Sequence, residues 1–250
     1  MSRKRVLIAG ESWTVHSIHQ KGFDSFTTTE YEEGVDALRS ALLAGGWDVT
    51  YQPAHVAATS FPATAQELSA YDCVILSDIG ANTLLLHPRT FKHAEARPDR
   101  LMVLRDWVAA GGGLIMVGGY LTFQGIDAKA RYHGTPIEEA LPVTMSPYDD
   151  RTERPDGVQP ETTAKNHEIV AGLDVTWPAI LGYNAVTAKP GAEVLTTVAG
   201  DPLITIGHYG KGRSVAFTSD CGPHWAPPEF LAWDGYNRLW QQMAAWSVGG

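Results

Sequence analysis

Residues 71–78 read YDCVILSD and residues 113–119 read GLIMVGG. Each is a short, nearly continuous apolar run bounded by polar residues or glycine, the pattern of a strand covered on both faces. Between them Leu101, Leu104 and Val108 recur at helical spacing after Pro98, and Gly111-Gly112-Gly113 ends that helix. Buried strand, helix and buried strand make a βαβ unit, whose two strands run parallel. Working outward, RVLIAG at residues 5–10 is a further strand of this kind, followed by a loop rich in Trp, His and Thr. Tyr31, Val35, Leu38 and Leu42 then share one helical face that stops at Gly45-Gly46, and DVTYQ from Asp48 is the next strand. The expected fold class is α/β, a doubly wound, mostly parallel sheet with ligands binding outside the carboxyl ends of its strands.

The second half changes character. Residues 144–165 are rich in Pro, Asp, Thr and Glu and read as an excursion over the surface. Turn signals at Lys189-Pro190-Gly191, Gly200-Asp201-Pro202 and Gly210-Lys211-Gly212 then separate EVLTTV, LITIGHY and SVAFTSD, which predicts extra β hairpins feeding a last core strand. From Phe230 to Trp246, Tyr236, Leu239, Trp240, Met243 and Trp246 line one face of a terminal helix. No internal repeat or linker divides the chain, so residues 1–250 are expected to form one domain. Tyr209-Gly210-Lys211-Gly212 lacks phosphate-loop spacing, and Gly111-Gly112-Gly113 precedes a strand instead of following one, so neither predicts a nucleotide cofactor.

Composition narrows the function classes. With 28 acidic against 19 basic residues the net charge is −9, which repels nucleic acid and anionic membrane. No apolar run approaches the roughly 18 residues of a membrane span. The apolar stretch after MSRKR stops at Glu11, too short for a secretory segment, so the expected location is cytoplasmic. Cys73 and Cys221 form no disulfide framework and no metal-ligand spacing. The expected partner is a small molecule, with exposed tryptophans available for homo-oligomer formation.

Chemistry is expected just past the strand ends, where rigid strands hold side chains over a common cleft. Glu11, Asp78 and His224 are the candidate catalytic residues, because carboxyls desolvated among aromatic rings acquire pKa values suited to proton transfer and a histidine can serve as their partner. Ser12, Trp13, Asn82, Gly119, Tyr120, Asp220 and Trp225 are the candidate pocket residues. Two bland alternatives stand beside these: Glu11 capping the following turn, and Asp78 capping a helix near Ala81. Cys221 lies three residues before His224, so a cysteine-histidine pair is one reading and a small loop residue the other. His16 and His19, three apart, would share a helical face and could hold a divalent metal such as zinc with Glu11, Asp78 or His224, although the spacing alone predicts no cofactor.

Several segments together resemble a known family: GESWTVHSIHQKGFDSF at 10–26, YDCVILSDIGANTLLL at 71–86, GGGLIMVGGYLTFQG at 111–125, NHEIVAGL at 166–173, GDPLITIGHYGKGRSVAFTSD at 200–220 and GPHWAPPEF at 222–230. They look like the class I glutamine amidotransferase-like family of unassigned function, a relative of trehalose-utilisation-type proteins. The resemblance implies a flavodoxin-like sheet. It also points to a departure: active class I amidotransferases carry a nucleophilic cysteine on a sharp turn after a central strand, whereas here that stretch reads Val117-Gly118-Gly119-Tyr120-Leu121. A His-Pro-Glu signature is absent, with Asp220 and His224 near its expected place. Glutamine hydrolysis by the usual triad is therefore not expected. The chain reads instead as a small-molecule hydrolase or related enzyme without a cysteine nucleophile, or as an inert binding or self-assembling protein on the same fold.

Overall fold

The computed structural model describes residues 3–173 and 176–249. It opens with strand β1 (Arg5–Gly10), followed after Glu11 by an antiparallel ribbon of β2 (Ser12–Lys21) and β3 (Asp24–Glu33). Helix α1 (Asp36–Ala44), strand β4 (Asp48–Gln52) and the short helices α2 (Ala54–Ser60) and α3 (Ala65–Leu68) lead to β5 (Cys73–Ser77). Helices α4 (Ala81–Leu85), α5 (Pro88–His93) and α6 (Arg100–Ala110) precede β6 (Gly113–Val117). Next come α7 (Pro136–Ala140), β7 (Val143–Met145), β8 (Arg151–Val158), β9 (Pro160–Thr162), β10 (Ile180–Asn184) and β11 (Val186–Ala188). The meander β12 (Glu193–Val198), β13 (Asp201–Tyr209), β14 (Gly212–Phe217) and the helices α8 (Pro228–Leu231) and α9 (Gly235–Ser247) complete the chain.

Eight strands form the main sheet in the order β4-β1-β5-β6-β14-β13-β12-β9. The first five are mutually parallel, and β13, β12 and β9 add antiparallel pairings at one side. This is the expected doubly wound sheet with extra hairpins. The runs that decide it, β5 and β6, are buried along their whole length because apolar layers cover both faces. One layer packs α1 and α9 on the sheet through Leu38, Leu42, Leu239, Trp240 and Met243; the other packs α3, α4, α6 and α7 through Leu68, Leu84, Leu104, Val108 and Ile137. Local chemistry agrees with this placement. Asp99 accepts hydrogen bonds from the Leu101 and Met102 amides to start α6, and Thr64 with Glu67 forms a capping box on α3.

Three expectations are corrected. The stretch after β1 is not a loop, and Tyr31 is not helical: both belong to the β2–β3 ribbon, and α1 starts at Asp36. The ribbon is exposed on both faces, so no burial-driven alternation marked it. Residues 144–165 are not a plain surface excursion, because β8 pairs with β10 and β9 extends the main sheet. The terminal helix is divided, with α8 ending at Leu231 and α9 starting at Gly235.

Candidate functional site

Register brings the strand ends together. Gly10 of β1 pairs with Ser77 of β5, so Glu11 and Asp78 leave the sheet side by side. Val117 of β6 pairs with Phe217 of β14, so Gly118-Gly119-Tyr120 and Thr218-Ser219-Asp220-Cys221 leave it side by side as well. Both Glu11 (φ 48) and Asp78 (φ 43) adopt the left-handed region, which costs L-residues roughly 1–2 kcal/mol each. Such strain persists only where the surroundings over-determine the backbone, and it turns both carboxyls away from the sheet toward the same volume.

Glu11 is 2% exposed and Asp220 4% exposed. Glu11 Oε2 accepts a 2.5 Å hydrogen bond from Ser77 Oγ and lies 3.6 Å from Cys221 Sγ, which is itself 3.5 Å from Ser77 Oγ. Asp220 accepts from the Gly222 amide, and its Oδ2 lies 3.6 Å from His224 Nδ1. Asp78 Oδ1 accepts from the Leu121 amide at 2.7 Å. Burial is the main reason the Glu11 and Asp220 carboxyls are held well above the usual carboxylate range. Asp220 and Asp78 push Glu11 further up, and Asp78 does the same to Asp220. Asp78 is raised by burial too, although the Leu121 amide and His224 oppose the shift. His224 is lowered, chiefly by burial. The arrangement therefore sets carboxyls raised by burial beside an imidazole lowered by it.

Aromatic residues roof this cluster. The Tyr120 ring meets His224 edge-on at 4.0 Å between centroids, and His224 stacks on Trp225 at 5.1 Å. Glu153 of β8 ties the roof down, accepting from Tyr120 Oη and Trp225 Nε1, each at 3.0 Å. Arg151 lies over the Tyr120 ring at 5.0 Å while its guanidinium is clamped by Asp149, so its charge is already answered. Behind Gly119, the buried Asn184 side chain bonds both the amide and the carbonyl of Gly119 and also Asp150, which in turn accepts from the Gln124 and Gly125 amides. This polar frame fixes the 119–125 turn.

The structure thus brings Glu11, Asp78, Gly119, Tyr120, Asp220, His224 and Trp225 to one place. It assigns other duties to the remaining candidates. Ser12 is buried and its Oγ accepts from the Ala54 amide, starting α2. Trp13 flanks Glu11 across Gly34, where an added Cβ would stand 2.6 Å from Glu11 Oε1 and 3.2 Å from the Trp13 ring. Asn82 is exposed in the first turn of α4. Neither bland alternative holds: Gly80 is the N-cap of α4, and the Glu11 side chain bonds across to β5. His16 and His19 lie on a strand, where residues three apart face opposite sides, so they cannot share an ion; each bonds a threonine of β3 instead. Glu11, Asp220 and Cys221 do place one donor atom each within 4.8 Å of one another. Burial raises the Cys221 thiol well above its usual range, with Glu11 and Asp220 raising it further, the reverse of what an activated nucleophile needs. Sequence reasoning missed Ser77 as the partner of Glu11, and Arg151, Glu153, Asp150 and Asn184 altogether. The last four lie on or beside β8 and β10, and only tertiary folding carries them to the strand ends.

The turn after β6 is built around its two glycines. A Cβ at Gly118 would stand 2.1 Å from the Thr218 carbonyl oxygen, and Gly119 adopts φ 154 with Asp78 Oδ1 3.1 Å from its Cβ position. Neither position accepts a cysteine without rearrangement.

The model of a family described as "Putative glutamine amidotransferase" matches residues 5–248, and the chain belongs to that family. A cytoplasmic protein from Salmonella typhimurium is 44% identical in sequence, with a TM-score of 0.94 over 97% of this chain and 98% of its own. Another cytoplasmic protein, from Salmonella typhimurium LT2, is 48% identical, with a TM-score of 0.94 over 97% and 99% of the two chains. A protein of Parabacteroides merdae named as ThuA-like shares the fold at 13% identity, with a TM-score of 0.61 over 100% of this chain and 91% of its own. No curated protein matches the sequence.

Proposed function

We propose that the strand-end cluster is an acid–base site for a small uncharged molecule, and that the protein is a cytoplasmic hydrolase or related enzyme working without a cysteine nucleophile. The observation that carries this reading is the pairing of His224 Nδ1 with Asp220 Oδ2 at 3.6 Å above the buried Glu11. Carboxyls crowded in a desolvated space keep protons that they would lose in water, while a lowered imidazole stays neutral, so both an acid and a base are ready near pH 7. In this reading His224, the most accessible of these groups, takes the proton from an attacking water. Asp220, whose Oδ2 lies 3.6 Å from Nδ1, positions the ring. Asp78 or the Glu11 network returns a proton to the leaving group. The aromatic roof and the clamped Arg151 favour a neutral amide, ester or sugar over a phosphate. The cytoplasmic location is supported by the description of the two Salmonella relatives.

The test is a panel of neutral amides, esters and glycosides assayed for product release, with thermal shift reporting binding in parallel. His224→Gln should lower turnover of any substrate found by about 100-fold or more, the usual contribution of a general base. Unchanged turnover in both His224→Gln and Glu11→Gln would sink the assignment. A second reading, a binding protein without catalysis, draws on the near-complete burial of Glu11 and Asp220 under the aromatic roof. It predicts ligands that raise the melting temperature with no product formed.

A further inference from the structure

His224 is carried by the segment between β14 and α8, on no helix or strand, and its backbone lies at φ 137, a region that L-residues rarely adopt. A side chain on such a segment keeps a precise place only where its neighbours lock it. Two rings do so here: Tyr120 meets the imidazole edge-on and Trp225 stacks on it, with centroids 4.0 Å and 5.1 Å away. Both rings end on one carboxylate. Glu153 Oε1 accepts from Tyr120 Oη and Glu153 Oε2 from Trp225 Nε1, each at 3.0 Å. The opposite strand completes the socket. Gly182 of β10 is the cross-strand partner of Glu153, and a Cβ there would stand 2.3 Å from Trp225 Nε1, so the indole occupies the space that a side chain would take. The Leu181 amide also donates to the Trp225 carbonyl at 2.9 Å.

We propose that Glu153 is a positioning residue of the site: by fastening Tyr120 and Trp225 it holds the His224 ring beside Asp220. The proposal rests on the reading of His224 as the base, since a base must keep its nitrogen within reach of the proton it takes. The residue type suits the task. An indole N–H only donates and a phenol O–H donates or accepts, so a carboxylate with two acceptor oxygens serves both rings at once. A glutamine serves them too, its oxygen accepting from the indole and its amide donating to the phenol oxygen, whereas an alanine serves neither. The tie comes from β8, which is paired with β10 and gives a loop-borne imidazole a rigid support. Arg151, two residues earlier and so on the same face of β8, lies over the Tyr120 ring at 5.0 Å and 3.9 Å from Glu153 Oε1.

The experiment is nuclear magnetic resonance on the full chain at rest, with ring-labelled histidine, so it needs no substrate. The His224 signal is the one missing from His224→Gln. In the wild type its ring protons should show Overhauser contacts to the Tyr120 ring, and the two flanking rings should displace their shifts from those of the exposed His93. Glu153→Ala should lose the contacts and bring the shifts to those of His93, whereas Glu153→Gln should keep both. The Glu153 side chain is 48% exposed, so both variants should fold, which a thermal melt checks. Tyr120→Phe cuts one tie without touching β8 and should move the signals part of the way. Unmoved His224 signals in folded Glu153→Ala would overturn the proposal. So would a Glu153→Gln that loses the contacts as fully as the alanine variant, because charge rather than the tie would then hold the ring. These spectra are independent of turnover: a failed assay of His224→Gln and Glu11→Gln sinks the acid–base reading, and only the spectra decide the tie. With a substrate in hand, Glu153→Ala should lower turnover and Glu153→Gln should restore it.

Discussion

At Gly118 the absence of a side chain is a requirement of the sheet: a Cβ there would meet the Thr218 carbonyl oxygen at 2.1 Å, because β6 and β14 leave the sheet in contact. Gly118→Ala should therefore destabilise the protein by about 3 kcal/mol, the upper end of overpacking costs, measured as a shift of the denaturant midpoint at unchanged slope. A chain that accepts alanine there without loss would show that β6 and β14 can part at their ends to make room. Glu11 carries the residue-scale prediction on pH. Its folded pKa is raised, so the stability linked to it is fully present below the ordinary glutamate range near 4.5 and is lost as pH rises toward the folded pKa. His224 is lowered and acts in the opposite sense, losing stability as pH falls below about 6.5, so the comparison must be made by difference. Glu11→Gln should gain on the wild type from about pH 5 upward, by at most about 1.4 kcal/mol per pH unit, followed by urea melts at each pH. A difference that stays flat from pH 5 to 8 would show that Glu11 is ionised in the folded protein. The sequence made the carboxyls at strand ends legible, because RVLIAG followed by Glu11 and VILS followed by Asp78 place them there by pattern alone. It did not make the Ser77 contact or the roof-tying Glu153 legible, since those depend on which strands become neighbours.

Elements are tied together by a residue that periodicity ignores. Arg100, the first residue of α6, is 2% exposed, and its guanidinium donates to the carbonyls of Ala57, Ala58, Thr83 and Leu84. These carbonyls belong to α2 and α4, so one side chain satisfies acceptors on two short helices and pins both to a third. Nothing in DRLMVLRDW marks Arg100 as buried, because an arginine at a helix start reads as solvated. Arg100→Ala should cost about 3–5 kcal/mol, as expected when buried polar groups lose a charged partner. Arg100→Lys should recover only part of that, since an ammonium lacks the planar fork that reaches four acceptors. Equal stability of the lysine variant and the wild type, by thermal melt, would show that charge rather than geometry is what matters. The same limit explains the ribbon. Residues 12–33 carry no apolar alternation against a core, so their pattern read as a loop. Strands such as DVTYQ and GLIMV were legible because the core writes its pattern into them.

Across the whole molecule the two kinds of strand should differ in how they open. Leu7, Ile8, Val74, Ile75, Leu114 and Ile115 are fully buried between two helical layers, and their amides sit in parallel ladders at the centre of the sheet. Their hydrogen exchange should proceed only through global unfolding and so report the full stability of the fold. The β2–β3 amides have one ladder and no covering layer, so in a monomer they should exchange orders of magnitude faster, at local opening energies near zero. The root of the ribbon is the exception. The Gly34 amide bonds the Glu11 carbonyl at 3.0 Å, and Tyr51 Oη bonds the same oxygen at 3.2 Å, which fastens both ends of the ribbon to the sheet. Because Glu11 belongs to the strand-end cluster, any partner that orders the ribbon also restrains the backbone under that cluster. Exchange measured by mass spectrometry separates the two kinds of strand. Central-strand amides should stay protected until the protein unfolds, whereas residues 14–31 should exchange at the earliest times and the root at Gly34 more slowly. Protection along the whole ribbon equal to that of the central strands would show that more than its own ladder holds it.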